Sequence, residues 1–145
     1  MENLKLTTNF NLDEFLDKVS YESLMKIATI SQYIRDTTGL PCTINNWSSG
    51  GQYGFSGFRP VGCTVGSPTS EHRMMNAIDI KIAGMTGKEM LEWAEQHAKE
   101  LYALGARRFE DSTLAVSWLH VDCREHGEKC IKIIDLVKVV KKIPV

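Results

Sequence analysis

The stretch Asn76-Ala77-Ile78-Asp79-Ile80-Lys81-Ile82 decides the fold. It alternates and ends in β-formers, which is the pattern of a strand. Immediately after it, Thr86-Gly87-Lys88-Glu89 reads as a capping box. That box predicts a helix to about Leu104, with Met90, Leu91, Ala94, Ala98 and Leu101 inward and Gly105 ending it. A strand followed by one helix is thus set into the middle of the chain.

Working toward the N-terminus, Ser48 to Ser70 is rich in Gly and Ser, carries Pro60 and Pro68, and is poor in aliphatics. It reads as a long irregular segment, and such segments in compact domains are usually functional or disordered. Tyr53, Phe55 and Phe58 suggest that this one packs on the body of the domain. Pro41 to Trp47 reads as a short strand. Before it, Leu24, Ile27, Ile30 and Ile34 recur at helical spacing and predict a helix from about Tyr21 to Thr38, ended by Gly39. Asn11-Leu12-Asp13-Glu14 reads as an earlier helix start, with Glu14 at the reciprocal capping position.

Toward the C-terminus, Arg107 to Glu110 and Leu114 to Cys123 read as two strands joined by a turn at Asp111-Ser112. Cys130 to Val140 fits a final strand or a short helix equally well. Lys138 to Lys142 has the lysines of a solvated sheet edge, where they discourage unwanted pairing. Helices first, then strands with one helix inserted, predict an α+β fold: a small antiparallel sheet packed against N-terminal helices and the inserted helix. A length of 145 residues fits one domain, spanning 1–145.

Composition narrows the function. Hydrophobic residues make up 43% of the chain, so a packed core is expected rather than disorder. The formal net charge of −1 gives no field for capturing nucleic acid or an anionic membrane. No run approaches the ~20 apolar residues that span a bilayer. The first residues lack a basic region followed by an apolar stretch, so the expected site of synthesis and residence is the cytoplasm. A monomer is the default expectation. The four cysteines include no C-x-x-C pair and are expected as free thiols. The spacings of Cys123, His126 and Cys130 match no common structural zinc pattern. His97 and His126 read as surface residues.

Two segments carry candidate chemistry. His72 and Asp79 lie seven positions apart, one at the end of the irregular segment and one inside a strand. In Trp118-Leu119-His120-Val121-Asp122, alternation puts His120 and Asp122 on one face. If the two strands are neighbours, His72, Asp79 and His120 can converge. Two imidazoles and a carboxylate are a catalytic zinc donor set, with the fourth position left to water. Spacing alone is weak evidence, since a strand aspartate can simply bond nearby donors.

Taken together, Ser70-x-His72-x-x-x-x-Ala77-Ile78-Asp79 and the later Trp118-x-His120 resemble the zinc D-alanyl-D-alanine carboxypeptidase and dipeptidase family. That family includes phage endolysins and shares its metal site with the hedgehog signalling domain. Ser56-Gly57-Phe58-Arg59-Pro60 is similar to its upstream aromatic-Arg stretch. The resemblance runs from about residue 43 to 124. It implies Zn2+ held by His72, Asp79 and His120, and a peptidoglycan stem peptide as substrate. It implies that Arg59 holds the scissile carbonyl oxygen, that Ser70 binds the substrate or braces the loop, and that Asp122 orients a ligand imidazole or Arg59. It further implies a protein that reaches the cell wall after release, or as part of a virion.

Two positions depart from the family pattern. The acid expected three residues before the last His is Ser117, so the general base must come from elsewhere. Glu110, Asp111 and Asp122 are the candidates, and Glu110 is preferred for its place on the preceding strand. Met75 stands where relatives often have Gly, and its effect on loop or pocket stays open. Beside the peptidase reading stand a zinc-binding module without catalysis, which Ser117 favours, and a virion structural protein.

Overall fold

In the computed structural model, residues 5–11, 14, 21–59, 62–136 and 138–145 are described. Helix α1 (Tyr21–Thr38) is followed by strand β1 (Cys42–Thr43). Single turns of 3-10 helix lie at Trp47–Ser49 and Glu71–Met74. Then come β2 (Ala77–Ile82), α2 (Gly87–Gln96), α3 (Ala98–Ala103), β3 (Arg108–Glu110), β4 (Leu119–Asp122), β5 (Cys130–Asp135) and β6 (Lys138–Pro144). The six strands form one sheet in the order β1-β2-β4-β3-β5-β6. All pairs are antiparallel except β3 with β5, which is parallel. The fold is α+β, and β4 slots between β2 and β3.

Register explains how one sheet serves both core and site. Ile78, Ile80 and Ile82 of β2, Leu119 and Val121 of β4, Phe109 of β3, and Ile131 and Ile133 of β5 are buried in the core. There they meet Ile27, Ile30 and Ile34 of α1 and Met90, Ala94 and Leu101 of α2 and α3. Side chains alternate along a strand, so the intervening residues turn to the opposite face. Those residues are Asp79 and Lys81, His120 and Asp122, Arg108 and Glu110. One face of β2, β4 and β3 therefore holds the apolar core and the other holds these ionisable residues.

The structure differs from the sequence expectation at five places. The strand expected over Pro41 to Trp47 ends at Thr43, because the Asn45 and Asn46 side chains leave the ladder and accept the amides of Ser56 (2.9 Å) and Tyr53 (2.9 Å). Competition of this kind between a short polar side chain and the backbone ladder is common for Asn. The inserted helix is broken at His97, whose ring stacks on Trp93 (centroids 4.3 Å apart) and whose Nδ1 donates to the Trp93 carbonyl (2.8 Å). His97 is thus half-buried rather than a surface residue. The strand expected from Leu114 starts only at Leu119, because Asp111 gathers the amides of Thr113, Leu114 and Ala115 into a turn. Cys130 to Val140 is neither one strand nor a helix: β5 turns back at Leu136 into β6, the exposed edge strand. The fifth difference is the parallel β3–β5 pair.

At the N-terminus, Glu14 Oε1 does accept the Asn11 amide (2.9 Å), as the capping pattern predicts. The helix it would open falls on residues outside those described. All four cysteines are free thiols. No helix among the described residues is long and apolar enough to cross a membrane.

Candidate metal centre

The site is assembled on β2 and β4 and clasped by the segment from Ser56 to Arg59. The β2–β4 register sets Asp79 directly opposite His120. His72 arrives from the 3-10 turn Glu71–Met74. Ser70 caps that turn, its Oγ accepting the His72 amide at 3.3 Å. Ser70 therefore braces the loop, one of the two roles its pattern implies.

Backbone groups of the clasp hold both ligand-bearing segments. Ser56 O accepts the Asp79 amide (2.7 Å), and the Arg59 amide donates to His72 O (3.0 Å). Gly57 O lies 2.7 Å from His72 Nδ1. A carbonyl only accepts, so Nδ1 carries the proton and Nε2 presents its lone pair. That nitrogen is 3.3 Å from Asp79 Oδ1.

His120 is oriented from the other side. Its Nε2 lies 3.1 Å from Asp122 Oδ2 and its Nδ1 lies 2.8 Å from Asp79 Oδ1. Asp122 is wholly buried and takes Arg108 through Nε (2.9 Å) and Nη2 (2.7 Å). Asp122 thus orients a candidate ligand imidazole, and its arginine partner is Arg108 rather than Arg59.

The ligand atoms of His72, Asp79 and His120 lie within 4.8 Å of one another. Donors on a tetrahedron with bonds near 2.0 Å sit about 3.3 Å apart. The His72–Asp79 spacing of 3.3 Å already has that value, and the His120–Asp79 spacing of 2.8 Å needs to open only slightly. The remaining ring nitrogens of both histidines are held by Gly57 and Asp122, the arrangement that fixes the tautomer of a ligating imidazole. The three residues can hold a metal ion.

Electrostatics agree with that geometry. Burial pushes the Asp79 carboxyl up, but His72 and His120 outweigh it and hold it well below the usual carboxylate range. Burial works against charge on His120 as well, yet hydrogen bonds and charge from Asp122 and Asp79 raise it to about 10. Asp122 is likewise held low against its burial, by His120 and Arg108. Glu110 is raised, chiefly by burial.

These groups line a cleft of about 360 Å³. Arg59 lies on its wall, with Nε on the Phe55 carbonyl (2.8 Å) and Nη2 on Asp79 Oδ2 (3.2 Å). It is therefore paired with a candidate ligand, on the side away from β4. Glu110 lines the cleft too; continuing the β3–β4 register sets it opposite His120. Ser117 is exposed and does not line the cleft, and Asp111 lies outside it, committed to its turn.

Some functional groups escape a reading of the sequence. Arg108 shares a face with Glu110 two residues on, so strand alternation alone would have nominated it. Gly57 acts through its carbonyl and leaves no side-chain signal. Lys81 is half-buried beside Asp79 and donates to Ile44 O (3.1 Å), Asp79 O (3.0 Å) and Ser56 Oγ, against the Tyr53 ring. Burial lowers its amine to about 8. Arg124 joins Glu71 of the His72 turn and Thr69 O (2.8 Å), tying that turn to the end of β4. Met75, open in the sequence, has a left-handed backbone (φ 53°) and a fully buried side chain. It packs into the core and neither narrows the loop nor lines the cleft.

Compared with known proteins, the chain matches no family model, no curated protein and no solved structure.

Proposed function

We propose that the chain is a zinc peptidase acting on the stem peptides of peptidoglycan, as a D,D-carboxypeptidase or an endolysin-type endopeptidase. The observation that carries the reading is the row Asp79–His120–Glu110 across β2, β4 and β3. It sets Glu110, whose carboxylate has no hydrogen-bond or ion-pair partner among the described residues, on the strand next to His120, with the two backbones about 5 Å apart. A purely structural metal site closes its fourth position with protein and has no use for a neighbouring base.

His72 Nε2, Asp79 Oδ1 and His120 Nδ1 would hold the ion. When bound, zinc acidifies a coordinated water and polarises a substrate carbonyl. Glu110 takes the proton released as the water oxygen attacks the carbonyl carbon. It then delivers that proton to the departing amine as the C–N bond breaks. Burial raises its proton affinity above that of an ordinary glutamate, the direction that helps a group which must both accept and donate a proton. Arg59, fixed by Phe55 O and Asp79, supplies positive charge to the carbonyl oxygen as it becomes negative. Ser70 keeps the His72 turn in place.

The test is release of peptides or free D-alanine from purified peptidoglycan by the zinc-loaded protein, read by mass spectrometry. His120→Ala is expected to abolish release. Glu110→Gln is expected to lower turnover by roughly 10²–10⁴-fold with zinc content unchanged. Full activity in Glu110→Gln would remove Glu110 as the base. No release from several wall types would favour the second reading, a zinc-binding module, to which the exposed Ser117 in place of the usual acid already gives a specific argument.

A further inference from the structure

We infer that Trp118, Ile134 and Leu136 form a subsite for an uncharged apolar side chain on the amine side of the scissile bond. The inference rests on the peptidase reading for the direction in which the substrate lies.

That direction follows from the order of groups across the sheet. The clasp carrying Arg59 runs along the outer side of β2, because Ser56 O takes the Asp79 amide there. Asp79, His120 and Glu110 then follow on β2, β4 and β3, and the partner of Glu110 on β5 is Ile134. The carbonyl oxygen belongs at the Arg59 end. The departing amine belongs beside Glu110, which protonates it. The residue that owns this amine must continue past Glu110 toward β5.

The two ends of the cleft differ in chemistry to match. At the Arg59 end the wall is polar, from Gly66, Ser67, Thr69 and Ser70. Past Glu110 it is made by Ile134, its partner on β5, and by Leu136 two residues further on, while Trp118 lines the cleft from the start of β4, two residues before His120.

Leu136 is costly where it stands. It is 71% exposed and has a left-handed backbone (φ 55°), a conformation that disfavours side chains beyond glycine. A turn alone would be served better by Gly or Asn. Trp118 Nε1 is buried with no hydrogen-bond partner among the described residues, a further cost at this wall. Costs of this kind concentrate where a surface serves a ligand. An apolar side chain laid on this wall removes Leu136 from water, whereas a charged one would lose its own hydration there.

The test uses the zinc-loaded full chain and three phosphinic pseudodipeptides that differ only in the amine-side side chain: methyl, isobutyl or carboxyethyl. Binding is read by calorimetry and needs no turnover. The methyl and isobutyl compounds are expected to bind at least about ten-fold more tightly than the carboxyethyl compound. Leu136→Lys is expected to narrow or reverse that ratio with zinc affinity unchanged. Leu136→Gly, which relieves the backbone, is expected to weaken the isobutyl compound most. Equal binding of all three compounds, binding of none, or a ratio unmoved by both variants would overturn the subsite. Hydrolysis of stem peptides is scored separately. Apolar ranking without hydrolysis would keep an apolar subsite beside the metal centre and remove the peptidase reading together with the amine-side direction taken from it; hydrolysis without ranking would keep the peptidase reading and overturn the subsite.

Discussion

Asp122 Oδ2 stands 3.1 Å from His120 Nε2, and this contact leaves His120 Nδ1 as the nitrogen facing Asp79 and His72. Arg108 grips the same carboxylate from behind with two nitrogens. Carboxylates that orient a ligating imidazole typically govern 10–100-fold in metal affinity. Asp122→Asn is therefore expected to weaken zinc binding by about that factor, measured by competition with a chelating dye. Arg108→Met should weaken it less, since it releases Asp122 without removing it, although a buried carboxylate without its partner also lowers stability. Unchanged affinity in Asp122→Asn would show that the contact plays no part in holding the metal.

Proton competition gives a second prediction. Without metal, His120 binds its proton up to about pH 10 against an ordinary value of 6.5. A folded value raised in this way adds stability that is full below pH 6.5 and is lost as pH climbs through about 10. Asp79 is lowered from its ordinary 3.8, so its contribution is full above that pH and is lost as pH falls below it. The metal-free protein should thus melt highest between these limits. Metal uptake must displace the His120 proton, and competition from it weakens steadily as pH rises toward about 10, so the rise in Tm caused by zinc should grow throughout roughly pH 5.5 to 8. Calorimetry in buffers of different ionisation enthalpy should record proton release on loading at pH 7; heats that do not depend on the buffer would contradict it.

How far this was legible in the sequence depends on which atoms do the work. His120 and Asp122 were legible as one face because side chains alternate along a strand; the joining of His72 and Asp79 to His120 came from the family resemblance, and Glu110 only from its place on the preceding strand. The helix ends at Gly39 and Thr86 were legible because capping is local. The clasp was not, since Ser56 and Gly57 act through carbonyl oxygens that carry no residue signature. The early end of β1 depended on Asn45 and Asn46 finding loop amides more than ten residues ahead in one case, a tertiary event with no local trace. Parallel pairing of β3 with β5 is also a matter of topology, since either orientation presents Phe109 and Ile133 to the same core.

Met75 yields a third prediction. Glycine at this position would adopt φ 53° freely, relieving about 1–2 kcal/mol of left-handed cost. The same change empties a fully buried site, and loss of a buried Met side chain costs about 2–5 kcal/mol. The second effect is larger, so Met75→Gly should be destabilising overall by denaturant unfolding. Zinc affinity should be nearly unchanged, because the side chain points into the core and away from the ligands. A variant as stable as the parent would mean the cavity collapses without cost.

Gly87 yields the last. It opens α2 just after the capping residue Thr86, and its amide donates to Val116 O at 2.9 Å. A Cβ there would lie 2.0 Å from Ala115 O and 2.6 Å from Val116 O. Both obstacles are backbone, so no rotamer change can relieve them, and the helix start must retreat from the 115–116 segment. Overpacking of this kind costs about 1–3 kcal/mol. That segment leads directly into Trp118 and His120, so a shift there reaches the metal centre along the chain. Gly87→Ala should therefore lower both Tm and zinc affinity. Lys88→Ala, on the exposed side of the same helix turn, should change neither. If Gly87→Ala lowered Tm with zinc affinity intact, the approach to β4 would be shown to absorb the displacement before it reaches His120.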